Sequence, residues 1–143
     1  MNIHTVNRQN GFTLIELLVV LVILAVLGTA VVQNLSDEPD KARLVKAKQD
    51  ILTIESALSR YKLDNFVYPT SDEGLDALVN KPASAKKWNS NGYIKRLPKD
   101  PWDNAYQYLN PGVNGPIDIY SLGADGQQGG EGIEADIGNW NLQ

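Results

Sequence analysis

The feature that most constrains this chain is a long apolar run that begins directly after Gly11. The run covers 21 residues, from Phe12 to Val32, and its only interruptions are Thr13, Glu16, Gly28 and Thr29. As a helix it would measure about 30 Å, which is enough to cross the hydrocarbon core of a bilayer. We therefore predict a transmembrane helix over about 12–33.

Glu16 places one carboxylate near the start of this run. An ionised Glu costs roughly 2.5–3.5 kcal/mol or more near the bilayer centre, so it needs either a cationic partner or a hydrated position at the interface. The chain has no Lys or Arg between Arg8 and Lys41, so a partner has to come from elsewhere. Cleavage between Gly11 and Phe12 would create one, the new α-amine. On these residues alone, a hydrated Glu and a paired Glu both remain open.

The motif Gly11-Phe12-Thr13-Leu14-Ile15-Glu16, followed by an apolar helix, resembles the class III signal of type IV pilins and type II secretion pseudopilins. The resemblance implies that a prepilin peptidase cuts after Gly11 and that Phe12 becomes the methylated terminus. It also implies that Glu16 pairs with the terminal amine of a neighbouring subunit during assembly. Residues 1–11 would then be a cleaved leader. An ordinary secretory signal is cut after its apolar segment, and a Glu inside that segment fits such a signal less well.

The second half of the N-terminal helix has an amphipathic pattern. The stretch from Leu35 to Asp40 is polar from Ser36 onward and contains Pro39, and it predicts a break. Beyond it, apolar residues recur 3 and 4 positions apart on one helix face, at Leu44, Ala47, Ile51, Ile54, Leu58 and Tyr61. A coiled coil has similar spacing, but the pattern covers fewer than three heptads, which favours packing on the chain's own head. The whole helix is predicted over 12–64.

Residues 65–143 are predicted to form a small head. Thr70 and Glu73 have the spacing of a capping box ahead of a short helix. Two stretches, 105–109 and 117–121, have strand character and are separated by a turn. Together they predict a small antiparallel sheet laid against the amphipathic helix.

Pieces of sequence along the head resemble the major pseudopilins of type II secretion. In order they are Tyr61-Lys62-Leu63-Asp64-Asn65, Tyr68-Pro69-Thr70, Glu73-Gly74-Leu75, Leu97-Pro98-Lys99-Asp100-Pro101-Trp102, Asp118-Ile119-Tyr120-Ser121-Leu122-Gly123-Ala124-Asp125-Gly126 and Asp136-Ile137-Gly138-Asn139-Trp140. With the signal, the resemblance runs from Gly11 to Trp140. It implies an α+β, type IV pilin-like fold, with a long N-terminal helix packed on a small antiparallel β-sheet and a C-terminal metal-binding loop. Many type IV pilins close that loop with a cysteine pair, whereas this chain has no cysteine.

The charge of the head is polarised. From Asp100 to Gln143 there are seven acidic residues and no Lys or Arg, which argues against nucleic acid as a partner for this end because phosphate binding requires cations. Within it, a loop at about 121–137 combines glycines with carboxylates, which suits the oxygen ligands of calcium. The absence of cysteine and the single histidine, His4, argue against zinc. A flexible acidic loop without a metal remains open.

An EF-hand does not fit this loop, because Gln127 and Gly129 stand where that motif places acidic or amide ligands. The resemblance to major pseudopilins implies a different calcium site. Its ligands would be two carboxylates and two backbone carbonyls, those of Asp125 and Asp136 and those of Leu122 and Gln127. Ala135 stands where a second aspartate can occur in the family, so Glu131 or Glu134 remains open as the second acidic ligand.

The same resemblance implies the function. The chain would be a structural subunit of the type II secretion pseudopilus, polymerising from the inner membrane to push folded exoproteins through the outer-membrane channel. It would cross the bacterial inner membrane once, with its head in the periplasm. Its partners would be copies of itself, minor pseudopilins, the inner-membrane assembly platform and the prepilin peptidase.

An enzyme is not expected. The chain has no Gly-rich phosphate loop with a lysine, and His4 is its only histidine, so a Ser/His/Asp or Cys/His set cannot be assembled from the head. Three alternatives remain open. They are a type IV pilin for adhesion, motility or DNA uptake, a membrane-anchored calcium-binding module that does not polymerise, and a small secreted hydrolase with paired carboxylates.

Overall fold

This computed structural model describes residues 12–143, except for the side chains of residues 28–38. Its elements, in chain order, are helix α1 (Leu14–Asn65), a 3-10 helix (Leu75–Leu78), strands β1 (Gln107–Leu109) and β2 (Asp118–Ser121), a second 3-10 helix (Gly132–Glu134) and strand β3 (Ile137–Gly138). Residues 40–143 form one compact unit, separate from the chain before it. The α+β class is thus confirmed.

Helix α1 contains Pro39 inside its bounds, so the break predicted at Leu35–Asp40 was wrong. A proline removes one hydrogen bond and costs roughly 3 kcal/mol in a helix interior. Helix propagation is cooperative, and the residues that follow Pro39 gain free energy by packing an apolar face. That packing offsets a local loss of this size.

The first part of α1 has uncovered apolar side chains. Every described side chain from Phe12 to Leu27 is exposed. Among the described residues, none of the helices combines the length and the apolar character that crossing a membrane requires. The span expected at about 12–33 therefore stays a prediction.

The core of the 40–143 unit forms around the predicted apolar face of α1. Five of the six residues of that face are buried, and Leu44 is half-buried at its edge. Facing them are buried residues of the first 3-10 helix, of the sheet and of the residue just before β2, namely Leu75, Leu78, Ile117, Ile119 and Ile137. Each buried Leu or Ile contributes about 1.5–3 kcal/mol, so this face holds the head on the helix.

The sheet has three strands in the order β1-β2-β3, and both pairs are antiparallel. Tyr108 pairs with Ile119, and Ser121 pairs with Ile137. Strands β1 and β2 lie inside the two stretches predicted to be strands. Strand β3 was missed, because two residues are too few to show an alternating pattern. It returns the chain to β2 and so closes the acidic loop between them.

The loop after the first 3-10 helix is tied to the C-terminal end of α1. Trp88 donates from Nε1 to a backbone carbonyl of the 3-10 helix at 3.0 Å, and its ring meets the Tyr93 ring edge-on. Lys87 donates its backbone N–H to Oδ1 of Asn65 at 3.0 Å, and the Tyr93 hydroxyl donates to Asp64 at 2.8 Å. These contacts fix the basic stretch around Lys87 beside the last turn of the helix.

Candidate functional site

The first candidate site is the start of α1. Gly11, the predicted processing residue, lies outside the described residues, and Phe12 is 83% exposed just before the helix begins. Oε2 of Glu16 accepts hydrogen bonds from the backbone N–H and the hydroxyl of Thr13, both at 3.3 Å. The N–H of Glu16 donates to the Thr13 hydroxyl at 3.4 Å. Thr13 and Glu16 thus form a capping box.

The capping box gives Glu16 a role that the sequence analysis did not consider. The Glu16 side chain is exposed, and a carboxylate offers about four lone-pair sites. Bonds to Thr13 therefore leave acceptor capacity for a cation of another molecule. Helix capping and pairing with a neighbouring amine are compatible at this position, and an experiment must separate them.

The second candidate site is the acidic loop between β2 and β3. Two backbone hydrogen bonds close it, from Ala124 N to Ile133 O at 2.9 Å and from Asp136 N to Gly129 O at 3.0 Å. They fold the loop back on itself and bring its two arms together. A loop with such cross-connections has a defined shape, which argues against the flexible alternative.

Glycine is required at two positions where the arms meet. Gly123 and Gly130 have φ values of 68° and 80°, in the left-handed region that glycine tolerates best. A Cβ atom at these positions would lie 2.6 Å and 2.3 Å from the backbone oxygen of Glu134. Side chains are therefore excluded on both sides of this carbonyl.

Asp136 is an acidic residue of the loop in which one carboxylate oxygen has no hydrogen-bond partner. Its Oδ2 accepts a hydrogen bond from Gly129 N at 3.0 Å, whereas its Oδ1 is buried without any hydrogen-bond partner. A buried carboxylate oxygen left unpaired is costly. A bound cation would remove that cost.

The other predicted ligands lie along the same loop. Asp125 is exposed, and its Oδ1 accepts a hydrogen bond from Gln127 N at 3.0 Å. Leu122 follows β2 directly and is half-buried. The structure thus links Asp125 with Gln127 and Asp136 with Gly129, and it shows no hydrogen bond between these two pairs.

These oxygens fit a hard cation such as calcium, which accepts carboxylates, carbonyls and water together. Nowhere in the described part of the chain do three or more His, Cys, Asp or Glu side chains cluster in a way that could hold a metal ion. A calcium site built on Asp125 and Asp136 would therefore depend on backbone carbonyls and water for its remaining ligands. Glu131 and Glu134, the acidic alternatives, are both exposed.

The sequence analysis did not predict the role of Asp100, whose hydrogen bonds fix the start of the acidic loop. Asp100 is 4% exposed, and its Oδ1 accepts from Trp102 N at 3.0 Å and Asn104 N at 2.8 Å. Its Oδ2 accepts from the Ser121 hydroxyl at 2.5 Å, and Ser121 Oγ accepts from Gly123 N at 3.2 Å. An Asp between two prolines does signal a turn of this kind, but its partner on β2 cannot be found from the sequence.

Two family models match this chain. The model described as "Type II secretion system (T2SS), protein G" matches residues 34–140. The model described as "Prokaryotic N-terminal methylation motif" matches residues 6–32. The first range includes the acidic loop, and the second includes Gly11, Phe12 and Glu16.

Curated relatives are similar along almost their whole length. The type II secretion system core protein G of Vibrio cholerae serotype O1 is 59% identical over 138 residues, which cover 95% of this chain and 94% of that protein. The Pseudomonas aeruginosa protein of the same name is 56% identical over 137 residues, which cover 94% and 96%. The crystal structure of the major pseudopilin from the type 2 secretion system of enterohaemorrhagic Escherichia coli matches with a TM-score of 0.66 and 47% identity, covering 75% of this chain and 94% of that chain.

Proposed function

The chain belongs to the family of type II secretion system protein G, and we propose that it assembles into a filament from the inner membrane. As a member of this family it is a structural subunit of the pseudopilus. Growth of the filament pushes folded exoproteins through the outer-membrane channel. The observation that carries this proposal is similarity over both the N-terminal signal and the head, from residue 6 to residue 140.

Before assembly, residues 12–33 hold the subunit in the inner membrane with its head in the periplasm. The exposed apolar side chains from Phe12 to Leu27 support this, because an uncovered apolar surface of this length requires lipid or protein to cover it. In the filament the same side chains pack against other copies of the chain. The prepilin peptidase, minor pseudopilins and the inner-membrane assembly platform would be the other partners.

Glu16 supplies the charge that pairs with the terminal amine of the next subunit. Three substitutions separate this role from capping. Glu16→Gln keeps a capping box, since Gln serves at that position, but it removes the charge. Glu16→Val removes both, and Thr13→Val removes the hydroxyl of the box but keeps the charge.

The readout is secretion of a folded extracellular enzyme by a strain that lacks the gene and expresses each variant. We expect the wild type and Thr13→Val to restore secretion, because loss of a cap costs only about 1 kcal/mol. Glu16→Gln and Glu16→Val should both fail. Secretion restored by Glu16→Gln would show that the charge is dispensable, and failure of Glu16→Val in the same assay would then assign the residue to helix capping.

We also propose that the acidic loop binds calcium, with the carboxylates of Asp125 and Asp136 and the carbonyls of Leu122 and Gln127 as ligands. The unpartnered Oδ1 of Asp136 and the closed shape of the loop support this. Calcium would supply the positive charge that this buried oxygen lacks. Without disulfides in the chain, a metal would also fix the loop against β3.

The test compares melting temperatures in calcium and in EGTA. A ligand at about 100 times its dissociation constant stabilises the folded state by about 2.7 kcal/mol, so the wild type should melt at a higher temperature in calcium. Asp125→Ala should lose this difference, and the control Asp72→Ala, at an exposed acid outside the loop, should keep it. A calcium-dependent shift that persists in Asp125→Ala would contradict the ligand assignment. Glu131→Ala and Glu134→Ala test the remaining alternatives.

A further inference from the structure

The residue that follows α1 is an exposed aromatic in a strained backbone conformation. Phe66 has a φ of 68°, which lies in the left-handed region where bulky residues are rare and where helices commonly end on glycine. Its backbone N–H donates to Lys62 O at 2.7 Å and so closes the helix, yet its side chain is 81% exposed. Contacts within this chain therefore offset neither the backbone strain nor the exposure of the ring to water.

Phe66 belongs to an apolar patch at the C-terminal end of α1. Leu63, which lines a surface hollow together with Phe66, is 76% exposed, and the adjacent Val67 is 62% exposed. We call Leu63, Phe66 and Val67 the apolar tip. The nearby Lys62 holds its ammonium 4.4 Å from the centre of the Tyr68 ring, so this charge is already engaged. Several large apolar side chains exposed together indicate a contact with another molecule.

A groove elsewhere on the 40–143 unit has a matching apolar character. Its volume is about 530 Å³, and Leu44, Val45 and Ile137 are among the apolar residues that line it. Three charged residues also line it, namely Lys41, Lys48 and Asp136. A lysine ammonium is attracted to the face of an aromatic ring, and the methylene groups of lysine add apolar surface. The groove therefore suits an aromatic side chain.

The apolar tip and the groove are separated along α1. Leu63 of the tip and Val45 of the groove are 18 residues apart, which is about five turns and about 27 Å along the helix axis. A second copy that faces the first and is displaced by this length brings its tip opposite the groove. Such a contact joins two different surfaces and therefore continues from copy to copy, as a filament requires.

The size of the apolar tip limits the assembly that this contact can serve. One Phe side chain presents about 150–250 Å², so the three residues together offer on the order of 400 Å². A stable interface buries about 800 Å² on each partner. The contact is thus too small to hold two free heads together, and it fits copies that are already held side by side through their apolar helices.

We propose that Phe66 of one copy inserts into the groove beside Val45 of another copy in the filament. This inference rests on the proposed function, because it needs a filament of this chain. It gives the strained and exposed aromatic ring a role in assembly. It also adds an apolar contact between heads to the packing of the N-terminal parts of α1.

Replacement of Phe66 separates this contact from the stability of the fold. Glycine relieves the left-handed strain, so the full chain with Phe66→Gly, in detergent, should melt at the wild-type temperature or slightly above it. The yield of filaments sheared from cells should nevertheless fall several-fold. Phe66→Leu keeps an apolar side chain and should retain most of the yield. The control Val113→Ala, which shortens an exposed apolar side chain outside the tip, should leave the yield unchanged.

The absence of native cysteine allows a direct test of the contact in the full chain. Filaments are sheared from cells that express Leu63→Cys together with Val45→Cys, oxidised, and separated without reductant. A disulfide needs Cα atoms within about 7 Å, whereas these two positions of one copy lie about 27 Å apart on the helix. Contacts between tip and groove should give a ladder of covalent oligomers. Each single-cysteine variant can give at most a dimer and serves as the control.

The outcomes separate this inference from the proposed function. Wild-type filament yield from Phe66→Gly, or filaments of the double-cysteine variant without a ladder, would overturn the inference and leave the pseudopilus assignment intact. Abundant dimers from Leu63→Cys alone would also overturn it, because two tips would then meet each other. A lowered melting temperature of Phe66→Gly would contradict the strain at this residue and the argument built on it. Absence of filaments and of secretion with the unmodified chain contradicts the proposed function, and with it the inference.

Discussion

Replacement of Asp100 with alanine tests how much the hydrogen bonds at the start of the acidic loop contribute to stability. The Asp100 carboxylate accepts three hydrogen bonds, from Trp102 N, Asn104 N and the Ser121 hydroxyl. The side chain is 4% exposed, and Ser121 is fully buried. Alanine leaves these donors without an acceptor and with little access to water.

The magnitude follows from those three contacts. A stranded buried donor costs about 1–3 kcal/mol, and partial hydration of the two backbone donors lowers the sum, so we expect Asp100→Ala to reduce the free energy of unfolding by about 3–5 kcal/mol. Asp100→Asn keeps an oxygen for the two backbone donors and turns its amide NH2 toward Ser121 Oγ, which can accept. Its cost should be about 1 kcal/mol.

The assay is equilibrium urea unfolding of residues 40–143, the compact unit that contains all of these groups. EGTA in excess removes any contribution from calcium. In a thermal scan, each kcal/mol corresponds to about 4–8 °C for a domain of this size. A double variant with Ser121→Ala should cost less than the sum of its parts, because the two side chains share one hydrogen bond.

Two results would refute this reasoning. One is an Asp100→Ala variant within about 1 kcal/mol of the wild type, because an unpaired group at this burial has to cost more. The other is an Asp100→Asn variant as unstable as the alanine variant, since Asn keeps the acceptor that the two backbone donors need.

Three further predictions concern the same unit. Leu58→Ala, at a fully buried position, should lower the free energy of unfolding by about 2–5 kcal/mol in urea, whereas Leu52→Ala on the exposed face should change it far less. Burial, followed by the hydrogen bond to a neighbouring carboxylate, raises the pKa of Tyr93 to about 12. The folded state therefore holds this proton more tightly than the unfolded state, and stability should fall as pH rises from about 10 through 12. Tyr93→Phe should make that fall shallower in unfolding curves measured across this range. Gly130→Ala should lower the melting temperature and weaken calcium binding more than Gly129→Ala, because both have positive φ but only a Cβ at Gly130 meets backbone.

The sequence predicted those parts of the fold that repeat a pattern over many residues. The apolar residues of the α1 face recur from Leu44 to Tyr61, so this face was recognised. Pro39 was misread as a break because the packing that outweighs it comes from tertiary structure. Strand β3 was missed because its two residues, Ile137 and Gly138, acquire strand geometry only from pairing with β2.

In the candidate sites, too, some features could be predicted from the sequence and others were visible only in the structure. Glu16 stood out because a carboxylate is costly inside an apolar run, and the resemblance of the surrounding motif implied its proposed role. The carboxylate of Asp136 could be named from the resemblance, but its unpartnered buried oxygen became visible only in the structure. The bond between Asp100 and Ser121 joins residues 21 positions apart, and no local pattern specifies such a pair.

The most direct test of the central claim is a complementation assay in a strain that lacks this gene. Release of a folded extracellular enzyme is measured together with surface fibres and twitching, with the wild-type chain supplied or withheld. As a pseudopilus subunit, the chain should be required for release, so the enzyme accumulates in the periplasm until the wild type is supplied. Normal release without the gene would contradict the account, and loss of twitching alone would identify a type IV pilin instead.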